Sequence, residues 1–242
     1  MSLTGLFNLS LWATVLTALG AAVWLWSRRK DGPGLSALAA FCLAMAGWCL
    51  GHFFALQNQA QLALPLILAN PLLPTTFLHF VIVWLKDFIS LPLKLYKRIP
   101  LLYVVAFLVT LVSVWKDGAY LAPWLIFPGF IHLALAGWIN LAYTIAVGVL
   151  AHILLLYAYQ HSQGNRRRSI ISIFVVGAWG FLLATSFILP SLSSNYFPYP
   201  MLALPSYAVL VVYAVVRYRL VEANRWVSLA IQWLVILLVS ML

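Results

Sequence analysis

Long apolar segments constrain the fold of this chain more than any other feature of its sequence. Hydrophobic residues make up 65% of the 242 residues and charged residues only 7%, whereas a soluble domain has about 45–50% apolar and about 25% charged residues. A transmembrane helix needs about 20 apolar residues, and none of the segments alternates with the period of two that barrel strands require. The sequence therefore predicts an all-α, polytopic transmembrane helical bundle. Its predicted helices are seven spans at 6–26, 35–56, 66–85, 101–115, 139–160, 169–189 and 201–216, and an eighth at 226–242.

Basic residues fall almost entirely in alternate loops. Only Lys116 among the 14 Lys and Arg residues lies outside the loops that follow the first, third, fifth and seventh predicted helices. The others are Arg28, Arg29, Lys30, Lys86, Lys94, Lys97, Arg98, Arg166, Arg167, Arg168, Arg217, Arg219 and Arg225. Loops rich in Lys and Arg remain cytoplasmic, so the N-terminus is predicted to lie outside. Membrane topology thus accounts for the net charge of +10, and we predict no nucleic-acid partner.

Two outer loops are unusually aromatic. Segment 116–138 contains two tryptophans, one tyrosine and two phenylalanines, and such side chains settle at headgroup depth. We therefore expect it to form a short interfacial helix or a re-entrant turn. Segment 190–200 contains three prolines together with tyrosine and phenylalanine, which predicts a rigid turn.

The third predicted helix carries most of the polar residues that could form a ligand site. Pro71 and Pro74 interrupt its backbone hydrogen bonds, and irregular backbone at membrane depth is tolerated where it lines a cavity. The candidate ligand-binding residues are Asn70, Thr75, Thr76 and His79, joined by Asn140 and Tyr143 from the fifth helix. We expect an outward-facing pocket with His79 as its floor. The alternative is that these side chains hydrogen-bond between helices and stabilise the bundle.

Few other residues could support chemistry. His79 and His152 lie at similar predicted depth and form a weak candidate pair for a metal or haem, although each could instead hydrogen-bond a backbone carbonyl or a hydroxyl. No metal, phosphate-binding or hydrolase motif occurs, so we predict no cofactor and no catalytic residue in these 242 residues. The small residues Gly177 and Gly180 are expected to permit close helix packing.

One stretch resembles a known family. Residues 163–223 contain a basic RRR loop, a glycine-containing helix that ends in FILP, an aromatic proline-rich turn, and a helix that ends in YAVVRYRLVEA. This pattern, with TTFLHFVIVWL in the third helix, resembles the seven-span N-terminal membrane region of bacterial sensor histidine kinases. The resemblance covers roughly residues 1–223. It implies a membrane-embedded sensory region of a two-component system, which relays an extracellular or membrane signal to a cytoplasmic output domain. Relatives carry the same region ahead of cyclase or phosphatase modules.

The resemblance also implies a domain organisation. Residues 1–223 would be the sensor region and residues 224–242 the start of the eighth helix, and we expect the chain to continue into a kinase domain. Arg217, Tyr218 and Arg219 would form the elbow that transmits the signal, or merely anchor the helix at headgroup depth. Expected partners are membrane lipid, an unknown small or lipid-like ligand and a second copy of the chain, in the bacterial inner membrane.

Two other function classes remain open at this point. The chain could be a membrane carrier or channel, or a haem- or quinone-binding oxidoreductase subunit that uses His79 and His152. A membrane anchor or assembly factor is a further alternative.

Overall fold

The computed structural model describes residues 2–86, 89 and 93–217. In chain order its helices are α1 (Leu3–Ser27), α2 (Leu35–Leu56), α3 (Ala60–Leu68), α4 (Leu72–Leu85), α5 (Leu93–Lys97), α6 (Ile99–Trp115), α7 (Leu135–Gln160), α8 (Gly164–Ala184) and α9 (Leu204–Arg217). Two strands, β1 (Ala119–Trp124) and β2 (Phe127–Leu133), separate α6 from α7. Three short 3-10 helices, Thr185–Ile188, Pro190–Leu192 and Tyr199–Ala203, separate α8 from α9. The predicted eighth helix and elbow residues Tyr218 and Arg219 lie outside the described residues.

The described part of the chain contains six helical segments long and apolar enough to cross a membrane, and one shorter apolar helix. The six are Leu3–Ser27, Leu35–Leu56, Ala60–Leu85, Leu95–Trp115, Leu135–Gln160 and Gly164–Ile188, and the shorter one is Tyr199–Ala214. These correspond to the first seven predicted spans. The prediction of a polytopic helical bundle is therefore confirmed.

The third span is longer than predicted and is broken in the middle. It begins at Ala60 and continues as α3 and α4, with an interruption at residues 69–71. The backbone passes through this break in tight turns, because Asn70 N donates to Ile67 O at 3.0 Å and Leu73 N donates to Asn70 O at 3.0 Å. Proline has no N–H to donate, so Pro71 and Pro74 explain why the regular helix ends here.

Six helices close into a ring. The contacts run from α1 to α2, then to α4, α7, α8, α9 and back to α1. Helix α6 packs on the outside of this ring against α4 and α7. Only 11% of the most apolar part of the segment Leu95–Trp115, which includes α6, is buried. A closed ring encloses an interior that is separated from lipid, and the candidate site lies there.

The prediction for segment 116–138 was wrong. The segment forms an antiparallel β-hairpin, with Tyr120 opposite His132 and Ala122 opposite Phe130, instead of an interfacial helix or re-entrant turn. Pro123 and Pro128 disfavour a helix interior. The turn at Leu125 adopts a positive φ of 52°.

The hairpin covers the end of the bundle that we predict to face outside, called the outer end below. Phe127 and Phe130 are each 1% exposed, and Phe127 packs edge-on against Phe7 of α1, with ring centroids 5.0 Å apart. Trp124 Nε1 donates to Ser194 O at 2.9 Å. This last bond ties the hairpin to segment 190–200, which forms 3-10 and irregular turns. The aromatic residues of the outer loops thus form a cap on the ring.

The predicted orientation can be tested by cysteine labelling. The side chains at positions 30, 97 and 166 are exposed at the opposite end from the hairpin. In a chain with Cys42 and Cys49 replaced by alanine, we expect the single variants Lys30→Cys, Lys97→Cys and Arg166→Cys to resist a membrane-impermeant maleimide added to intact cells. The reason is that basic loops remain cytoplasmic.

The matched control is Tyr196→Cys, since Tyr196 is 80% exposed at the outer end. This variant should react rapidly with the same reagent. Rapid labelling at two of the three basic positions, or protection of position 196, would contradict the orientation.

Candidate functional site

Two adjacent chambers lie between the helices of the ring, and the outer one opens to the surroundings where its lining residues Ile145 and Thr185 are exposed. The inner chamber has a volume of about 90 Å³ and the outer chamber, next to the hairpin, about 110 Å³. Both are lined by Trp48 of α2, Asn70 in the α3–α4 break, Thr144 of α7, and Phe181 and Ala184 of α8. The break in the third span therefore places the Asn70 side chain at the boundary between the chambers.

Asn70 belongs to a chain of hydrogen bonds that links the third span to α7. Its Nδ2 donates to Thr144 Oγ1 at 3.2 Å, and Thr144 Oγ1 donates to Asn140 O at 3.0 Å. Asn140 is 3% exposed and its Nδ2 donates to Leu68 O at 2.8 Å and to Ser113 Oγ at 3.2 Å. Asn140 lines the outer chamber only. Among the six predicted ligand-binding residues, these two asparagines line a chamber.

The other predicted residues face neighbouring helices. Thr75 is fully buried, and its Oγ1 lies 3.1 Å from Tyr143 OH. Tyr143 OH donates to Leu102 O of α6 at 3.0 Å, so its single proton is used and Thr75 is the donor in the first bond. Thr76 Oγ1 donates to carbonyls of its own helix, at Leu72 and Leu73. Thr75, Thr76 and Tyr143 thus fit the packing alternative.

His79 is not the floor of the pocket. Its Nδ1 is hydrogen-bonded to Tyr103 OH of α6 at 3.0 Å, and it lies outside the lining of both chambers. Phe77 of the same helix contacts His152, and residues two apart on an α-helix point about 200° apart. Helix α4 therefore directs Phe77 into the ring and His79 outward, towards α6.

His79 and His152, the weak candidate pair for a metal, do not lie together, because His79 points towards α6 whereas His152 lines the inner chamber. His152 lies among Phe77, Phe174 and Phe181, and its Nδ1 is 2.8 Å from Gly148 O. This is the backbone-carbonyl alternative. Within the described residues there is no group of three or more side chains that could hold a metal ion.

Two histidines that line the chambers each have a ring nitrogen without a hydrogen-bond partner among the described residues. His52 lines the outer chamber and is 2% exposed, and its Nε2 is buried and unbonded. Its ring lies between those of Trp48 and Phe187, with centroid distances of 4.6 and 3.8 Å. His152 Nε2 is equally buried and unbonded, and His152 lines the inner chamber. A ligand with hydrogen-bonding groups could satisfy both atoms.

Glycines let the ring close around these chambers. A Cβ at Gly177 would lie 2.8 Å from His152 Nε2, and a Cβ at Gly148 or Gly180 would collide with the ring of Phe181 or Tyr207. The predicted close packing at Gly177 and Gly180 is confirmed. Tyr207 belongs to α9 and lines the inner chamber, so α9 contacts any molecule held there.

The chain as a whole matches a protein family described as the N-terminal 7TM region of histidine kinase, over residues 10–224. The chain belongs to this family. No curated protein and no solved structure gives a significant match. The seven spans of the family correspond to the six long apolar segments and the shorter helix described above. This chain is therefore a multi-pass membrane protein that carries a histidine kinase membrane region.

In this histidine kinase membrane region the sequence identified the asparagines but missed His52, His152, Thr144 and Phe181 as chamber residues. Gly148 and His152 are four residues apart, which places both on one helix face. This spacing is the sequence feature that could have indicated a close contact of another helix at His152. It shows which residues share a face, but not which helix lies opposite.

The hydrogen bonds of Asn140 should stabilise the bundle. The variant Asn140→Leu keeps the branched shape and the number of side-chain heavy atoms but leaves the Leu68 carbonyl without its donor, so we expect a loss of about 1 kcal/mol. For a chain of this size the midpoint of thermal unfolding in detergent should fall by about 2–4 °C.

Thr110→Val is the control. Thr110 Oγ1 is buried on α6 without a hydrogen-bond partner among the described residues, so its removal should leave the midpoint unchanged or raise it. An unchanged midpoint for Asn140→Leu would show that this network does not hold the helices together.

Proposed function

We propose that this chain is the sensory input region of a bacterial two-component histidine kinase in the inner membrane. In this proposal the two chambers receive the signal, and α9 relays it to a cytoplasmic output domain. The family match over residues 10–224 is the observation that carries the proposal. The candidate ligand residues are Asn70, Asn140, His52 and His152, since each lines a chamber.

The contacts of α9 support it as the transmitting element. Leu204 and Tyr207 line the inner chamber, and Trp179 Nε1 of α8 donates to Ser206 Oγ at 3.0 Å. Tyr207 precedes Arg217, the last described residue, by ten residues, which is about 15 Å along a helix. A ligand that changes the position of the Tyr207 ring would tilt α9, because packed interfaces switch between discrete arrangements.

The alternative functions have less support. An ion-coupled carrier typically places an acidic residue at the ion path, and the described residues that line the chambers include no Asp or Glu. A haem subunit would use paired axial ligands such as histidines, whereas His79 and His152 face different helix interfaces.

Filling the chambers should block the response. Ala184 lines both of them, so we expect Ala184→Phe to lock the kinase in one state. Autophosphorylation of the complete native protein in membrane vesicles should change by about three- to tenfold, since that factor corresponds to roughly 0.7–1.4 kcal/mol. The assay measures acid-labile phosphate transferred from radiolabelled ATP.

Val175→Phe is the matched control, because it adds a ring to the same helix at a position that is 57% exposed. It should behave like the unmodified protein. Equal activity of the Ala184→Phe and Val175→Phe proteins would argue against a sensory role of the chambers. The absence of any phosphorylated histidine would argue against a kinase.

A second pair of variants separates the chamber from the α4–α6 interface. Asn70→Ala removes a polar group from both chambers, and we expect it to change the ratio of stimulated to basal phosphorylation by about threefold or more. His79→Phe alters a side chain that faces α6, and should leave this ratio unchanged while the amount of protein in the membrane stays constant. The opposite pattern would place the site on the α6 side.

A further inference from the structure

Phe181 of α8 lies where three cavities meet. It lines the inner chamber, the outer chamber and a third cavity, a groove of about 310 Å³ between α7 and α8. The groove is formed by apolar side chains such as Ile153, Leu156 and Ala178, with His152 and Phe181 at its inner edge. Ile153 and Leu156 are 56% and 46% exposed, so the groove faces the surroundings of the bundle, which in a membrane are lipid tails.

The wall between groove and chambers is thin. The Phe181 ring lies directly against the backbone of Gly148, where any larger residue would collide with it. His152 belongs to the lining of both the groove and the inner chamber. A rotation of the Phe181 side chain would therefore connect the groove to the inner chamber.

The hydrogen bonding of His152 determines which kind of ligand group can pair with its Nε2 atom. Its Nδ1 lies 2.8 Å from Gly148 O, and because a carbonyl only accepts, Nδ1 carries the proton. In a neutral imidazole Nε2 is then an acceptor. This Nε2 is buried and has no partner among the described residues. The group that pairs with it must be a donor.

We propose that the groove between α7 and α8 admits an uncharged amphiphile from the bilayer, whose hydroxyl group donates a hydrogen bond to His152 Nε2. Its hydrocarbon tail lies along Ile153, Leu156 and Ala178, and the Phe181 side chain moves aside to let the head enter. The inference deepens the proposed sensory role by naming the class of ligand and its route.

The residues that line the three cavities limit the charge and size of the amphiphile's polar end, which we call its head. The described residues that form the three cavities include no Lys, Arg, Asp or Glu, and an unpaired charge in such a site is costly. Each chamber is smaller than the roughly 150 Å³ cavity that accommodates benzene in another protein. The head is therefore small and neutral, as in a long-chain alcohol.

The test measures binding and does not depend on kinase activity. The complete native protein is placed in phosphatidylcholine nanodiscs with dodecanol that carries a photoreactive diazirine in its tail, and the cross-linked residues are mapped by mass spectrometry. We expect cross-links on α7 and α8 at the groove. Unlabelled dodecanol should compete about 3- to 18-fold better than dodecyl methyl ether, because the ether cannot donate the hydrogen bond.

Two pairs of variants sharpen this result. His152→Phe should abolish the preference for the alcohol, whereas His79→Phe should retain it, because His79 faces α6. Ala178→Phe fills the groove and should reduce the cross-linking about tenfold or more, whereas Val175→Phe on the same helix should not. Circular dichroism and detergent melting establish that each variant is folded.

Equal competition by the alcohol and the ether in the unmodified protein would overturn the proposed role of His152. Cross-links outside α7 and α8, or undiminished labelling of Ala178→Phe, would overturn the lateral route. Binding as described, in a protein whose phosphorylation does not respond to chamber-filling substitutions, would overturn the proposed sensory function alone.

Discussion

The architecture depends on the close approach of α7, α8 and α9 at glycines. Lipid is as apolar as the helix surfaces, so these helices gain little from the hydrophobic effect and need direct packing to associate. Gly148 gives room to the Phe181 ring, Gly177 to His152 and Gly180 to Tyr207. Larger residues at these positions would push α8 away from both neighbours. The six-helix ring would then open, and the chambers would become part of the lipid-facing surface.

The two sides of the ring are held in different ways. The third span, α6 and α7 are connected by the hydrogen bonds of Asn70, Thr75, Asn140 and Tyr143, which fix the helices in register. On the other side, aromatic rings contact glycine backbones, and these rings can rotate without breaking a polar bond. The hydrogen bond from Trp179 to Ser206 joins α8 to α9, so these two helices would move together. We therefore expect the first side to act as a frame and α8 and α9 to move. This division suits a receptor, because the mobile side includes the helix that ends at Arg217.

The sequence alone predicts features that depend on composition, such as the spans. It does not predict features that depend on which helices pack against each other. Apolar length predicted the seven described spans, and Pro71 and Pro74 indicated the break that exposes Asn70. Aromatic content indicates headgroup depth without specifying a backbone conformation, whereas Pro123 and Pro128 disfavour a helix and lie in the two strands of the hairpin. The nine-residue spacing from Asn70 gives the depth of His79 but also corresponds to two and a half helical turns, so it directs His79 to the face opposite Asn70. The unpaired nitrogens of His52 and His152 follow from which helices enclose them, and one sequence does not contain that information.

The absence of charged residues among the described residues that line the chambers limits how a ligand can shift the equilibrium between two conformations. A ligand shifts a conformational equilibrium only by its difference in affinity for the two states. A molecule that arrives from the bilayer gains little by moving its tail from lipid to an apolar groove, so tail burial contributes little to that difference. Selectivity must then come from hydrogen bonds inside the ring and from the fit of the head. A single bond of this kind contributes about 0.6–1.7 kcal/mol in a membrane protein, enough for a graded response but less than the roughly 5.5 kcal/mol that moves a two-state equilibrium from 1:99 to 99:1. A complete switch would therefore require several contacts at once, and the proximity of His52, Asn70, Thr144 and His152 around two adjoining chambers provides them.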